Sequence, residues 1–163
     1  AGSSIGNGPL EFRNGTLTSL YTSNHTLPNI VTIPGGSNAS VNMSPQMKLG
    51  GVSGAGTLNL KVTATATQAS RLAGSWAGFT GTLNLAATGG TQGLICANFN
   101  GDAAIGSFNN LNAATVNLDN VNLGGRDNSG GNTFTIGALQ GTSSAKLGGA
   151  HYAGALTYSI GTE

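Results

Sequence analysis

The 163-residue sequence predicts one all-β domain spanning residues 1–163, wound as a right-handed parallel β-helix of about six or seven coils with Gly-rich corners. Three observations predict it. Near-identical short strands recur along the chain, each alternating apolar and polar residues with period two. Pairs of glycines punctuate the gaps between them and supply the positive φ that tight corners need. No segment carries a useful 3.6-residue apolar stripe, so helix should be nearly absent.

Taken in order, residues 1–45 contain Gly and Pro together with two weaker repeats, Gly15-Thr16-Leu17-Thr18-Ser19-Leu20 and Ala39-Ser40-Val41-Asn42-Met43. They are read as N-terminal coils and a cap. The clearest repeats fill 49–161. Gly56-Thr57-Leu58-Asn59-Leu60 returns 25 residues later as Gly81-Thr82-Leu83-Asn84-Leu85, and 33 residues after that as Thr115-Val116-Asn117-Leu118. Thr133-Phe134-Thr135-Ile136 and Leu156-Thr157-Tyr158-Ser159-Ile160 are weaker relatives. Alternation points Leu58 and Leu60 inward, and Thr57 and Asn59 outward. Corners are expected at Gly35-Gly36, Gly50-Gly51, Gly89-Gly90, Gly124-Gly125, Gly130-Gly131 and Gly148-Gly149. A β-sandwich of antiparallel hairpins also fits short strands with frequent turns. Near-identical strands favour the coil, because equivalent positions then stack. Asn59, Asn84 and Asn117 would form a ladder of amide hydrogen bonds, in a stack of roughly 30 Å at the usual strand spacing.

Composition narrows the function. Six Lys or Arg face five Asp or Glu, and about half of the chain is Gly, Asn, Thr or Ser. Without a basic cluster a nucleic-acid partner is not expected. No apolar run approaches a membrane span, so no insertion is expected either. The single Cys96 rules out an internal disulfide, and its apolar neighbours read it as a small buried hydrophobe. A surface of amides and hydroxyls with few charges suits an extracellular bacterial module. Asn14-Gly15-Thr16, Asn24-His25-Thr26 and Asn38-Ala39-Ser40 match the glycosylation acceptor pattern, as chance allows in an Asn-rich chain.

The strings Leu49-Gly50-Gly51-Val52-Ser53-Gly54-Ala55-Gly56-Thr57-Leu58, Trp76-Ala77-Gly78-Phe79-Thr80-Gly81-Thr82-Leu83 and Ile136-Gly137-Ala138-Leu139-Gln140-Gly141 resemble autotransporter-type β-strand repeats. The chain is also similar to the parallel β-helix carbohydrate-binding module attached to some gut-bacterial xylanases. That resemblance implies a parallel β-helix, a covalently linked catalytic domain and a xylan ligand. The chain departs from an autotransporter in lacking amphipathic barrel strands at its C-terminal end. No family binding residue carries over, since no motif fixes one.

Catalysis finds little material. The one charged cluster is Asp119, Arg126 and Asp127, with Asp102 a coil earlier. It could in principle hold Ca2+, but an Arg paired with loop acids explains it more simply. Glu11 and Glu163 make no glycosidase pair. Gly50-Gly51-Val52-Ser53-Gly54 has no Lys-Ser/Thr after it, so it is not a phosphate loop. His25 and His151 lack partners at metal spacing. No metal or cofactor is therefore expected.

A neutral glycan asks instead for aromatic rings to stack on and for amides and hydroxyls along its rim. Phe108 and Phe134 read as core, and Phe79 as corner packing. Trp76 and Tyr152 are the expected stacking residues, with Tyr21, His151 and Arg126 as further contacts. The expected function is a monomeric, non-catalytic carbohydrate-binding module for a neutral plant polysaccharide. The alternatives are a structural or adhesin stalk, and a polysaccharide lyase or hydrolase.

Overall fold

The computed structural model describes residues 5–6, 8–20, 24–63, 69–89, 92–99, 105–126, 131–148 and 155–161. Tyr21, Asp102, Asp127, His151, Tyr152 and Glu163 lie outside the described residues. Every regular element described is a β-strand, and no helix occurs among the described residues.

The chain repeats a circuit. One pass contributes β1 (Leu10–Glu11), β2 (Asn14–Thr18) and β3 (His25–Leu27); the next contributes β4 (Val31–Thr32), β5 (Asn38–Met43) and β6 (Met47–Leu49). Then come β7 (Val52–Ser53), β8 (Thr57–Val62) and β9 (Ser70–Leu72), followed by β10 (Thr82–Ala87) and β11 (Gly93–Ala97). The last passes give β12 (Leu111–Asp119) with β13 (Val121–Gly125), β14 (Thr133–Gly141) with β15 (Lys146–Leu147), and finally β16 (Thr157–Ile160). Strands at equivalent places stack in parallel. They build a three-stranded sheet (β1-β4-β7), a seven-stranded sheet (β2-β5-β8-β10-β12-β14-β16) and a six-stranded sheet (β3-β6-β9-β11-β13-β15). The result is a parallel β-solenoid of about five turns. The sequence reading of six or seven coils differs slightly from this, since the last pass contributes β16 alone and closes no circuit.

All the repeats found in the sequence become strands of the seven-stranded sheet. Leu58, Leu60, Leu83, Leu85, Val116 and Leu118 are buried, as alternation requires. They join one continuous core with Val41 and Met43 of the same sheet and with Leu49, Leu72, Ile95 and Leu123 from the six-stranded sheet. In β11, every residue is buried, Cys96 included.

Two features explain local chain choice. Gly56 and Gly81 each precede a repeat strand, and the coils approach so closely there that a Cβ on Gly81 would collide with the carbonyl oxygen of Gly56. The expected corner at Gly124-Gly125 is instead strand, in register with Cys96 and Ala97. The turn between β12 and β13 falls at Asn120, whose φ of 52° a side chain able to bond its own backbone tolerates. Asn-type corners are thus as available to the chain as Gly corners.

Candidate functional site

The outer face of the seven-stranded sheet is set by register. β8, β10 and β12 align Thr57, Thr82 and Thr115 in one outward column, and Asn59, Asn84 and Asn117 in the next. Thr16 and Ser40 extend that second column toward β2, and Gln140 extends it onto β14. The expected amide ladder forms. Asn117 Nδ2 donates to Asn84 Oδ1 at 2.7 Å, and Asn84 Nδ2 donates to Asn59 Oδ1 at 2.8 Å. Asn59 Nδ2 in turn donates to Asn38 Oδ1 at 2.6 Å and to the Ala39 carbonyl at 3.0 Å. Every rung points the same way, toward the N-terminal strands. A parallel column with a rung on every adjacent strand favours this, since an amide whose oxygen accepts from one side is left to donate to the other. At the far end, Asn117 Oδ1 is buried and accepts from no described group.

Beside the ladder runs a third outward column. Thr18 and Asn42 pair in register, as do Asn42 and Lys61, Lys61 and Ala86, and Ala86 and Asp119. Asn42 Nδ2 donates to Thr18 Oγ1 at 3.0 Å. Three shallow, open grooves lie over these columns. One of about 540 Å³ meets a second of about 550 Å³ at Lys61. The second meets a third of about 450 Å³ at Asn84 and Ala86. Together they form one shallow trough crossing the strands.

The aromatics are elsewhere. Trp76 is 0% exposed, and its Nε1 donates to the Ala73 carbonyl at 2.9 Å. Its expected role as a stacking platform is therefore corrected: it offers no face to a sugar. The reason is tertiary. Its ring packs at 6.2 Å from Phe79 and 6.3 Å from Phe108. Phe108 then contacts Phe99 at 5.4 Å and Phe134 at 5.0 Å, and Phe134 contacts Tyr158 at 5.8 Å. The geometry is mostly edge-to-face, the arrangement ring quadrupoles prefer. Phe79, Phe108 and Phe134 are core, as expected. Tyr158 is half-buried. Its hydroxyl donates to the Leu123 carbonyl at 2.7 Å and accepts from the Gly148 N–H at 3.2 Å. Burial pushes the phenol up to about 12, although the Gly148 bond pulls the other way.

The remaining sequence candidates separate. Arg126 follows β13 on the six-stranded sheet, where its N–H donates to the Ala97 carbonyl at 3.0 Å, and it is not among the residues lining the trough. Asp119 closes β12 on the trough face of the seven-stranded sheet, whereas Arg126 lies just past the end of β13 in the six-stranded sheet. One contact was missed in the sequence: Ser19 Oγ lies 2.7 Å from His25 Nε2 and 3.0 Å from Ser44 Oγ. It ties the corner between β2 and β3 to the end of β5. Only the fold brings Ser44 there, from 25 residues away.

Among the described residues no group of three or more His, Cys, Asp or Glu is placed to hold a metal ion. No protein-family model, no curated protein and no solved structure matches this chain. What it does must be argued from the face itself.

Proposed function

We propose that this solenoid is a non-catalytic carbohydrate-binding module for a neutral plant polysaccharide, borne by a larger secreted bacterial enzyme. One observation carries the reading. The outer face of the seven-stranded sheet is a flat, nearly uncharged array of amides and hydroxyls, repeated at one strand spacing and crossed by a shallow open trough. A long neutral glycan needs such a surface: hydroxyl partners in a row, no strong field and no closed pocket. An acidic polymer would need a cluster of basic residues, whereas Lys61 is the one basic residue lining the trough among the described residues. The resemblance to the xylanase-attached module favours xylan within that class. Tyr152 and Tyr21 remain as candidate stacking rings. The winding is read as right-handed, since strand–crossover–strand connections within one parallel sheet take that hand in about 98% of cases.

Affinity electrophoresis tests the reading. Gels containing xylan, mixed-linkage β-glucan, pectate or alginate should retard the chain with the neutral polymers and not with the acidic ones. Unretarded migration in every gel would overturn it. Incubation with the same polymers should release no new reducing ends. A structural stalk is the second reading, favoured by the placement of Trp76, Phe79, Phe108 and Phe134 in the core, where none can stack on a sugar. It predicts free migration throughout.

A further inference from the structure

We infer that the trough has a central sugar subsite over Ala86, flanked by Lys61 on one neighbouring strand and Asp119 on the other. The inference rests on the carbohydrate reading and names where, and with what chemistry, the ligand is held. Three independent facts converge on this place. Ala86 is paired in register with Lys61 of β8 and with Asp119 of β12, so the three form one outward row across adjacent strands. The small Ala86 is shared by the grooves of about 550 and 450 Å³, which makes it the low saddle where they join. Lys61 and Asp119 are both exposed, and they are the charged residues lining the trough among the described residues.

Two strand spacings separate the charged residues, about 10 Å between their backbones. That gap accommodates a ligand unit between them, seated on the methyl group of Ala86. Asn84 and Asn117 each spend one of their two amide N–H donors on the next rung. The charged pair adds stronger contacts on either side. The Asp119 carboxylate accepts from a sugar hydroxyl, and the Lys61 ammonium donates to a hydroxyl or ring oxygen. Hydrogen bonds of this kind are stronger than neutral ones. The opposite signs of Lys61 and Asp119 leave the subsite without net charge, which suits a neutral unit.

Calorimetry with the polysaccharide that best retards the chain tests the subsite. Lys61→Ala and Asp119→Ala should each weaken binding about tenfold, the worth of one charge-assisted hydrogen bond. Ala86→Trp should fill the saddle and weaken binding at least as much. Lys146→Ala, on the six-stranded sheet, should change nothing. Both alanine variants shorten exposed side chains, so an unchanged far-UV spectrum is expected and the test does not depend on the Trp variant folding. If wild type binds and Lys61→Ala and Asp119→Ala bind equally well, the subsite is wrong while the carbohydrate reading stands. If wild type binds none of the polymers, both fall together.

Discussion

Asn84 occupies the middle of the amide ladder, donating to Asn59 and accepting from Asn117. Replacing it with Ala removes both bonds and strands one acceptor and one donor. The expected loss is about 1–2 kcal/mol, at the lower end for such groups because water reaches this half-exposed face. Urea unfolding should report it. Asn84→Asp should cost more, since a carboxylate cannot donate and would face Asn59 Oδ1 directly. Tyr158 makes a prediction in pH. Its folded-state value of about 12 lies above the ordinary tyrosine value near 10, so the folded state holds the neutral phenol more tightly than the unfolded chain does. That contribution is complete below pH 10 and is lost between pH 10 and about 12. Stability measured through this window should fall, and Tyr158→Phe should flatten the part of the fall due to this group while losing the bonds to Leu123 and Gly148.

At the level of the strand and its corner, Gly81 is the sharpest test. A methyl group there meets the Gly56 carbonyl of the preceding coil, so Gly81→Ala must push two coils apart, at a cost of about 1–3 kcal/mol or more. Gly89→Ala meets no atom within 4 Å and should report only the strain of its φ of 90°. Thermal denaturation of the two variants should separate crowding from strain. These strands were legible in the sequence because Leu58, Leu60, Leu83 and Leu85 keep strict period two, and because Asn59, Asn84 and Asn117 hold one position within near-identical strings. Their stacking followed from that likeness. Trp76 was not legible. Beside a turn it reads as a surface ring, and the fold covers it with Phe79 and with Phe108 from a later coil. The row of Lys61, Ala86 and Asp119 was likewise invisible, since isolated charges look like solvated ones until the register aligns them. Gly124 and Gly125 misled for a different reason: glycine marks close packing in a strand as readily as a corner.

Seen whole, no strand among the described residues pairs with its neighbour in sequence. Each strand of the seven-stranded sheet finds its partner only after a complete circuit, at 25 residues for Asn84 with Asn59 and 33 for Asn117 with Asn84. Loop closure must precede any pairing, so stopped-flow refolding should fall in the slow range of milliseconds to seconds. A microsecond phase carrying the full amplitude would contradict the topology. The uniform direction of the ladder has another consequence. Since Asn59 and Asn84 each accept from the strand above and donate to the one below, Thr57–Gly81 is flanked by the same chemistry on both sides. A tandem copy of that segment would meet the same leucines, the same amide and the same Gly corner that it left. The solenoid can therefore grow by whole turns through duplication, while an insertion that is not a whole turn must be absorbed at a corner.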